Sequence, residues 1–224
     1  MDPLDDIRAV IVGHSHVSWL EKFIKNDSHD EMGKINLTFG IYKENIEVKF
    51  CPKPGATMGK ILTITPSFLN LSPHIVVLVI GGNDLDRSSG EPVKLAVEVV
   101  NYAKELLSKG VKFVVLCEIP QRFTNTPMIG EKIKCYNSRL HAICKAEPNI
   151  RYWEHRRLRT NIQRSRSSVL RPDGVHLNNK GNYFLYHSLK NALCHAMTHV
   201  FHNSPCVHDL EYEKKRGGTK QRNR

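Results

Sequence analysis

The 224-residue chain has no long apolar run. Its longest, Ile75 to Ile80, is far too short to cross a bilayer. Cys51, Cys117, Cys135, Cys144, Cys194 and Cys206 form no CxxC pair and no zinc-ligand spacing, so free and mostly buried thiols are expected. The opening Met1-Asp2-Pro3-Leu4-Asp5-Asp6 lacks the basic start and apolar stretch of a secretory signal, which predicts an intracellular protein, cytoplasmic or nuclear. Internal repeats are absent. His195, His199 and His202 recur at helical spacing, but with no HExxH pattern or nearby carboxylate they predict a solvated helix face rather than a metal site.

Hydrophobic residues make up 40% of the chain and charged residues 25%, which excludes a disordered chain or a fibre and leaves enough apolar material for one full core. We expect a domain over residues 1–205 and a basic, disordered tail over 206–224. Charge is the unusual feature. Lys and Arg number 33 against 22 Asp and Glu, a net charge of +11. Six cations and no anions lie between Lys214 and Arg224, and seven arginines lie between Arg151 and Arg171. Such clusters attract anionic partners, nucleic acid among them, or stay solvated.

Short runs rich in Val, Ile and Leu predict strands at Arg8–Val12, Ile46–Phe50, His74–Ile80, Lys112–Glu118 and Ile150–Trp153. Most do not alternate apolar with polar, the pattern of a parallel sheet buried on both faces. Helices are predicted between them at Val17–Lys25, Thr57–Leu69 with Pro66 breaking or ending it, Pro92–Lys109, Ile129–Ala146 and Asn179–Phe201. Asn36–Tyr42 reads equally as an extra strand or an irregular insertion. The βαβα alternation predicts an open, doubly wound α/β sheet, in which ligands bind beyond the carboxyl ends of the strands.

Small and polar groups follow these strands. Gly13-His14-Ser15-His16 follows the first, Pro54-Gly55-Ala56-Thr57 the second and Gly81-Gly82-Asn83-Asp84 the third. Asp173-Gly174-Val175-His176-Leu177-Asn178 precedes the last helix. All would meet on one rim of the sheet. Acyl transfer needs a nucleophile, a base, an orienting acid and donors for an oxyanion. Ser15, on a strand-to-helix turn, suits the first. His176 is placed to accept its proton, and Asp173, three residues earlier, to orient the imidazole. The backbone N–H groups of Ser15 and Gly55 and the Asn83 amide are candidate donors. Ser15 alone also reads as a plain helix N-cap, Asp173 as a turn residue and His176 as a helix-start residue.

These four groups, in this order, resemble the sequence blocks of the SGNH (GDSL-like) hydrolases, from about residue 7 to residue 201. The resemblance implies a three-layer α/β/α, flavodoxin-like fold with a five-stranded parallel sheet in the order 2-1-3-4-5. It also implies hydrolysis of esters or thioesters without a metal or other cofactor. Its roles fall on Ser15 as nucleophile, Ser15, Gly55 and Asn83 as oxyanion donors, and Asp173 and His176 as acid and base. His14 departs from the usual Gly-Asp-Ser of the first block, which puts rate and loop geometry in question more than the reaction. Esterase-like domains of this look also occur in first-open-reading-frame proteins of certain non-LTR retrotransposons, where the basic tail and Arg156, Arg157 and Arg159 would serve a nucleic-acid or other anionic partner. Three readings follow: a serine esterase of small acyl esters, a nucleic-acid-associated accessory, and an inactive binding module. The segments 119–129 and 154–171 read as loops that shape the substrate site.

Overall fold

A computed structural model of the chain describes residues 7–26, 46–87, 89–126 and 128–200. The candidate strand at 36–42, the tail, His202 and Cys206 lie outside the described residues. In order, the elements are β1 (Ile7–Gly13), α1 (Ser15–Lys25), β2 (Ile46–Pro52), α2 (Met58–Leu69), β3 (Ile75–Val79) and a short α3 (Gly82–Leu85). There follow α4 (Pro92–Ser108), β4 (Phe113–Cys117), α5 (Ile129–Cys144), β5 (Ile150–Trp153), α6 (Arg156–Arg164) and α7 (Asn179–Val200).

The five strands form one all-parallel sheet ordered β2-β1-β3-β4-β5, the order the family resemblance implies. Side chains on a strand point alternately to opposite faces, and here both sets are apolar. Ile7, Ala9 and Ile11 of β1, with Ile75, Val77 and Val79 of β3, face a core closed by α1, α6 and α7. Val10, Val12, Val76 and Leu78 face a second core under α2, α4 and α5. Burying such a side chain stabilises by about 1.5–3 kcal/mol, and two cores sharing one sheet explain why the inner strands β3 and β4 show no polar face, while the edge strands β2 and β5 expose Glu47, Lys49 and Arg151. The result is the expected α/β/α sandwich.

Three local expectations are corrected. α1 begins at Ser15, two residues earlier than its apolar pattern suggests, because Gly13 lets the chain turn tightly: a Cβ there would meet the Val79 carbonyl oxygen at 2.6 Å. α2 runs three residues past Pro66. The carbonyl that the proline leaves without its helical donor belongs to Leu62, an exposed residue. The arginine-rich segment read as a loop contains α6, which docks by burying Leu158 and Ile162, four residues apart on one face. Of the cysteines described, none is in a disulfide; Cys117 and Cys144 are buried, Cys51 and Cys194 are half-buried, and Cys135 is exposed. Among the described residues, no helix is long and apolar enough to cross a membrane.

Candidate active site

The rim formed by the carboxyl ends of β1, β2 and β3 collects the groups singled out from the sequence. Ser15 is the first residue of α1 and His14 its N-cap position. Its backbone N–H therefore belongs to the first turn, which has no intrahelical acceptor and carries the positive end of the helix dipole. The Ser15 hydroxyl lies 3.0 Å from His176 Nε2. His176 Nδ1 lies 2.8 Å from Asp173 Oδ2. A carboxylate only accepts, so Nδ1 carries the ring proton and Nε2 accepts from the Ser15 hydroxyl.

The Asp173 turn is rigid for local reasons. Its other carboxylate oxygen accepts the backbone N–H groups of Val175 and His176, each at 2.8 Å. Burial alone would raise the Asp173 carboxyl. The backbone and ring hydrogen bonds from His176, and the bond from Val175, outweigh burial and hold it down at about 2. Around it, Arg171 N–H donates to the His176 carbonyl at 2.7 Å, and Leu170 bridges Leu177. Gly174 sits at φ +68°, and a Cβ there would lie 2.7 Å from the Phe123 carbonyl oxygen. Phe123 N–H donates back to the Gly174 carbonyl at 2.9 Å, which pins the turn to the β4–α5 connection. Asn178 accepts Gly181 N–H at 3.0 Å at the start of α7.

The candidate oxyanion donors belong to one interlocked rim. Lys53 N–H donates to the Gly13 carbonyl at 2.7 Å, joining the ends of β2 and β1. Gly55 follows with φ +68° and open space where a side chain would be. Asn83 Nδ2 donates to the Ala56 carbonyl at 2.8 Å, which leaves its second N–H for another acceptor. Asp84 accepts Met58 N–H at 3.0 and 3.1 Å, capping α2 from another segment. The Gly-Gly-Asn-Asp group thereby holds the Gly55–Thr57 turn in place.

Four residues around this site were not singled out one by one in the sequence, although Arg122, Phe123 and Arg171 lie in the segments 119–129 and 154–171 read as shaping the substrate site. Trp19, one turn along α1 from Ser15, has its ring 6.3 Å from that of His176, and the Arg171 guanidinium lies 3.7 Å over the Trp19 ring. Phe123 and Arg122 come from the β4–α5 connection. No spacing rule singles out residues whose roles depend on where a loop falls in space; for Trp19, on α1, the scarcity of tryptophan, two in the chain, is the one signal the sequence offers. His14 and His16 are both buried. Burial, then the nearby Arg122 cation, lowers His14 to about 3. Burial, with His14 and Arg122 behind it, lowers His16 well below the ordinary range. Both are neutral at working pH.

The arginines singled out for an anionic partner lie on α6. Arg156 pairs with Glu154 at 3.0 Å, and Arg159 reaches Glu118 at 3.6 Å and Glu154 at 3.5 Å. Arg157 lies over the Phe184 ring at 4.6 Å and has no acidic partner among the described ion pairs. Two clefts of about 700 and 580 Å³ share Arg156, Arg157 and Phe184, and are lined further by Lys145, Arg151, Arg164 and Lys180. A larger cleft of about 740 Å³, with Glu118, Gln121 and Phe123 in its wall, lies between α5 and α6. Neither Ser15 nor His176 lines any of the three. His195, expected on a solvated face, is half-buried and packs near Phe113, Trp153 and His199. No cluster of three metal-ligating side chains occurs among the described residues.

Residues 38–189 match the family described as GDSL-like Lipase/Acylhydrolase, a span that contains Gly55, Asn83, Asp173 and His176 and begins after Ser15. Comparison of the sequence with curated proteins finds no match. Solved structures do resemble it. A putative acylhydrolase from Bacteroides fragilis aligns at TM-score 0.62 and 20% identity, over 85% of this chain and 89% of that one. A lipase/acylhydrolase from Enterococcus faecalis aligns at 0.63 and 19%, over 84% and 95%. A catalytic mutant of an acetylxylan esterase from Geobacillus stearothermophilus aligns at 0.64 and 13%, over 90% and 97%. At these identities the likeness concerns the fold.

Proposed function

This chain belongs to the GDSL-like lipase/acylhydrolase family, and we propose that it is a serine esterase of small acyl or acetyl esters or thioesters. The observation that carries the reading is the hydrogen-bonded chain Ser15 Oγ to His176 Nε2 at 3.0 Å and His176 Nδ1 to Asp173 Oδ2 at 2.8 Å. Ser15 Oγ attacks the ester carbonyl as His176 Nε2 takes its proton. The oxyanion is met by the N–H groups of Ser15 and Gly55 and by the free N–H of the Asn83 amide. Each such donor lowers the barrier by about 3–4 kcal/mol. The tetrahedral adduct collapses, the ester C–O bond breaks, and His176 returns the proton to the leaving alcohol. Water then attacks the acyl-serine with His176 again as base, releasing the acid and regenerating Ser15.

The test is hydrolysis of p-nitrophenyl acetate and butyrate by wild type and Ser15→Ala, with a fluorophosphonate probe in parallel. Turnover and labelling are expected to vanish together in the variant. Full hydrolysis by Ser15→Ala would overturn the mechanism. A folded wild type with neither turnover nor labelling would favour the binding module.

A second reading adds a polyanion contact through the cationic clefts along α6, supported by Arg156, Arg157, Arg164 and Lys180 meeting in one place. Single-stranded RNA is the probe. Phosphate contacts release counterions, so affinity should fall steeply with salt. Arg157→Ala and Lys180→Ala together should lower the salt slope, with esterase turnover unchanged. Binding indifferent to salt, or none at low salt, would remove this reading.

A further inference from the structure

The β4–α5 connection carries Arg122, whose side chain is only 2% exposed. A cation is taken out of water at high cost unless something compensates it. The compensation here is incomplete. Asp86 Oδ2 is 3.7 Å from Arg122 Nη1, while Asp86 Oδ1 is occupied by the hydroxyls of Thr124 and Thr126 at 2.8 and 2.6 Å. Arg122 Nε and Nη2 have no hydrogen-bond partner among the described residues. The nearest acceptor of Nη1 is not a carboxylate but the side-chain oxygen of Asn83, at 3.2 Å. Gly82 makes room for this arrangement, since a Cβ there would collide with the guanidinium.

We propose that Arg122 is a positioning residue of the oxyanion hole, acting through Asn83; this rests on the esterase reading above. The two ends of an amide are nearly equal in size and opposite in chemistry. If reversed, Asn83 would aim a lone pair, not an N–H, at the substrate carbonyl oxygen. Two partners forbid the reversal. Arg122 has only donors, so it takes the oxygen end, and the Ala56 carbonyl only accepts, so it takes the nitrogen end. The second N–H of Nδ2 is then fixed in direction. A cation on the amide oxygen also draws electron density from the nitrogen and strengthens that N–H as a donor. The Gly-Gly-Asn-Asp group thus holds a donor, Asn83, next to the bare backbone that lets its orienting cation approach.

Steady-state hydrolysis of p-nitrophenyl acetate by Arg122→Ala, Asn83→Ala, the double variant and Ser15→Ala tests this. One oxyanion donor is worth about 10²–10³ in kcat. Arg122→Ala is expected to lower kcat by about 10–100-fold, part of that effect, with KM changed by less than about threefold. In the Asn83→Ala background the same change should cost nothing further, because the group it orients is gone. Millimolar guanidinium should restore part of the turnover of Arg122→Ala and none of Asn83→Ala. Arg122→Met, which fills the buried space without a donor, replaces Arg122→Ala if that variant does not fold, and the double-variant comparison is then made with it. Losses that multiply in the double variant, an effect on KM alone, or turnover within twofold of wild type would each overturn the proposal while Ser15→Ala remains inactive. Retained turnover in Ser15→Ala, or none in wild type, would instead overturn the esterase reading and this proposal with it.

Discussion

Asp173 divides its two oxygens between two tasks, and the division makes a clean prediction. Oδ1 takes two backbone N–H groups and holds the turn, while Oδ2 faces the His176 ring. Asp173→Asn can keep its carbonyl oxygen on the backbone donors, so the turn survives. Its amide N–H would then face Nδ1, and the ring is driven to the tautomer whose Nε2 carries a proton and cannot accept from Ser15. We expect kcat/KM for p-nitrophenyl acetate to fall by about 10²–10⁴, with a parallel fall in the rate of fluorophosphonate labelling. The carboxylate is 47% exposed, so solvent screening places the loss toward the lower end. The melting temperature should move by no more than a few degrees. Equal rates for Asp173→Asn and wild type would show that His176 needs no orienting acid.

At the scale of elements, the sheet was legible and the polar connections were not. Unbroken runs such as Ile75–Ile80 predict strands buried on both faces, because each face meets its own helical core. The order of the strands came from the resemblance rather than from periodicity, and it matches the structure. Ser15, Asp173 and His176, picked out as a set, lie in one hydrogen-bonded chain, and Asn83 meets the Gly55–Ala56 turn. α6 was read as a loop because arginines fill seven of the positions between 151 and 171 and only Leu158 and Ile162 mark a buried stripe. The role of Arg122 within the segment 119–129 was hidden for a different reason. Its meaning depends on the β4–α5 connection folding back over Gly82, a long-range contact that no local pattern encodes. The same limit separates the α6 arginines from one another: Arg159 already faces Glu118 and Glu154, whereas Arg157 faces no acid among the described pairs, and the sequence ranks them alike.

The whole molecule carries a consequence of its buried histidines. His14, His16 and His155 are all buried. Burial leads the causes that lower His14 to about 3 and His155 to about 4, and that lower His16 as well. A base lowered in the folded state is charged first in the unfolded chain, so the unfolded state binds more protons below about pH 6.5 and stability falls as pH falls. Glu118 acts in the opposite sense. Burial, only partly offset by Arg159 and the His155 N–H, raises its carboxyl to about 7. Its protonated form therefore favours the fold at low pH, and that contribution is lost as pH rises through about 7. Half-buried His187 and His195 are lowered too and add to the histidine effect. Asp173 contributes only lower down, losing its stabilisation as pH falls from about 4 toward 2. Between about pH 6.5 and 5 the three buried histidines outweigh the one carboxyl by about two protons taken up on unfolding, about 3 kcal/mol per pH unit, to which His187 and His195 add. Denaturant unfolding at pH 7.5, 6.0 and 5.0 should show stability falling with acidity. His155→Gln, whose amide can still reach the Ser188 hydroxyl that the ring contacts at 2.7 Å, should show a shallower slope by about one proton. A variant that tracks the wild-type slope would mean that His155 charges as readily in the folded protein as in the unfolded chain. The steep acid limit would then have to come from the two histidines flanking Ser15.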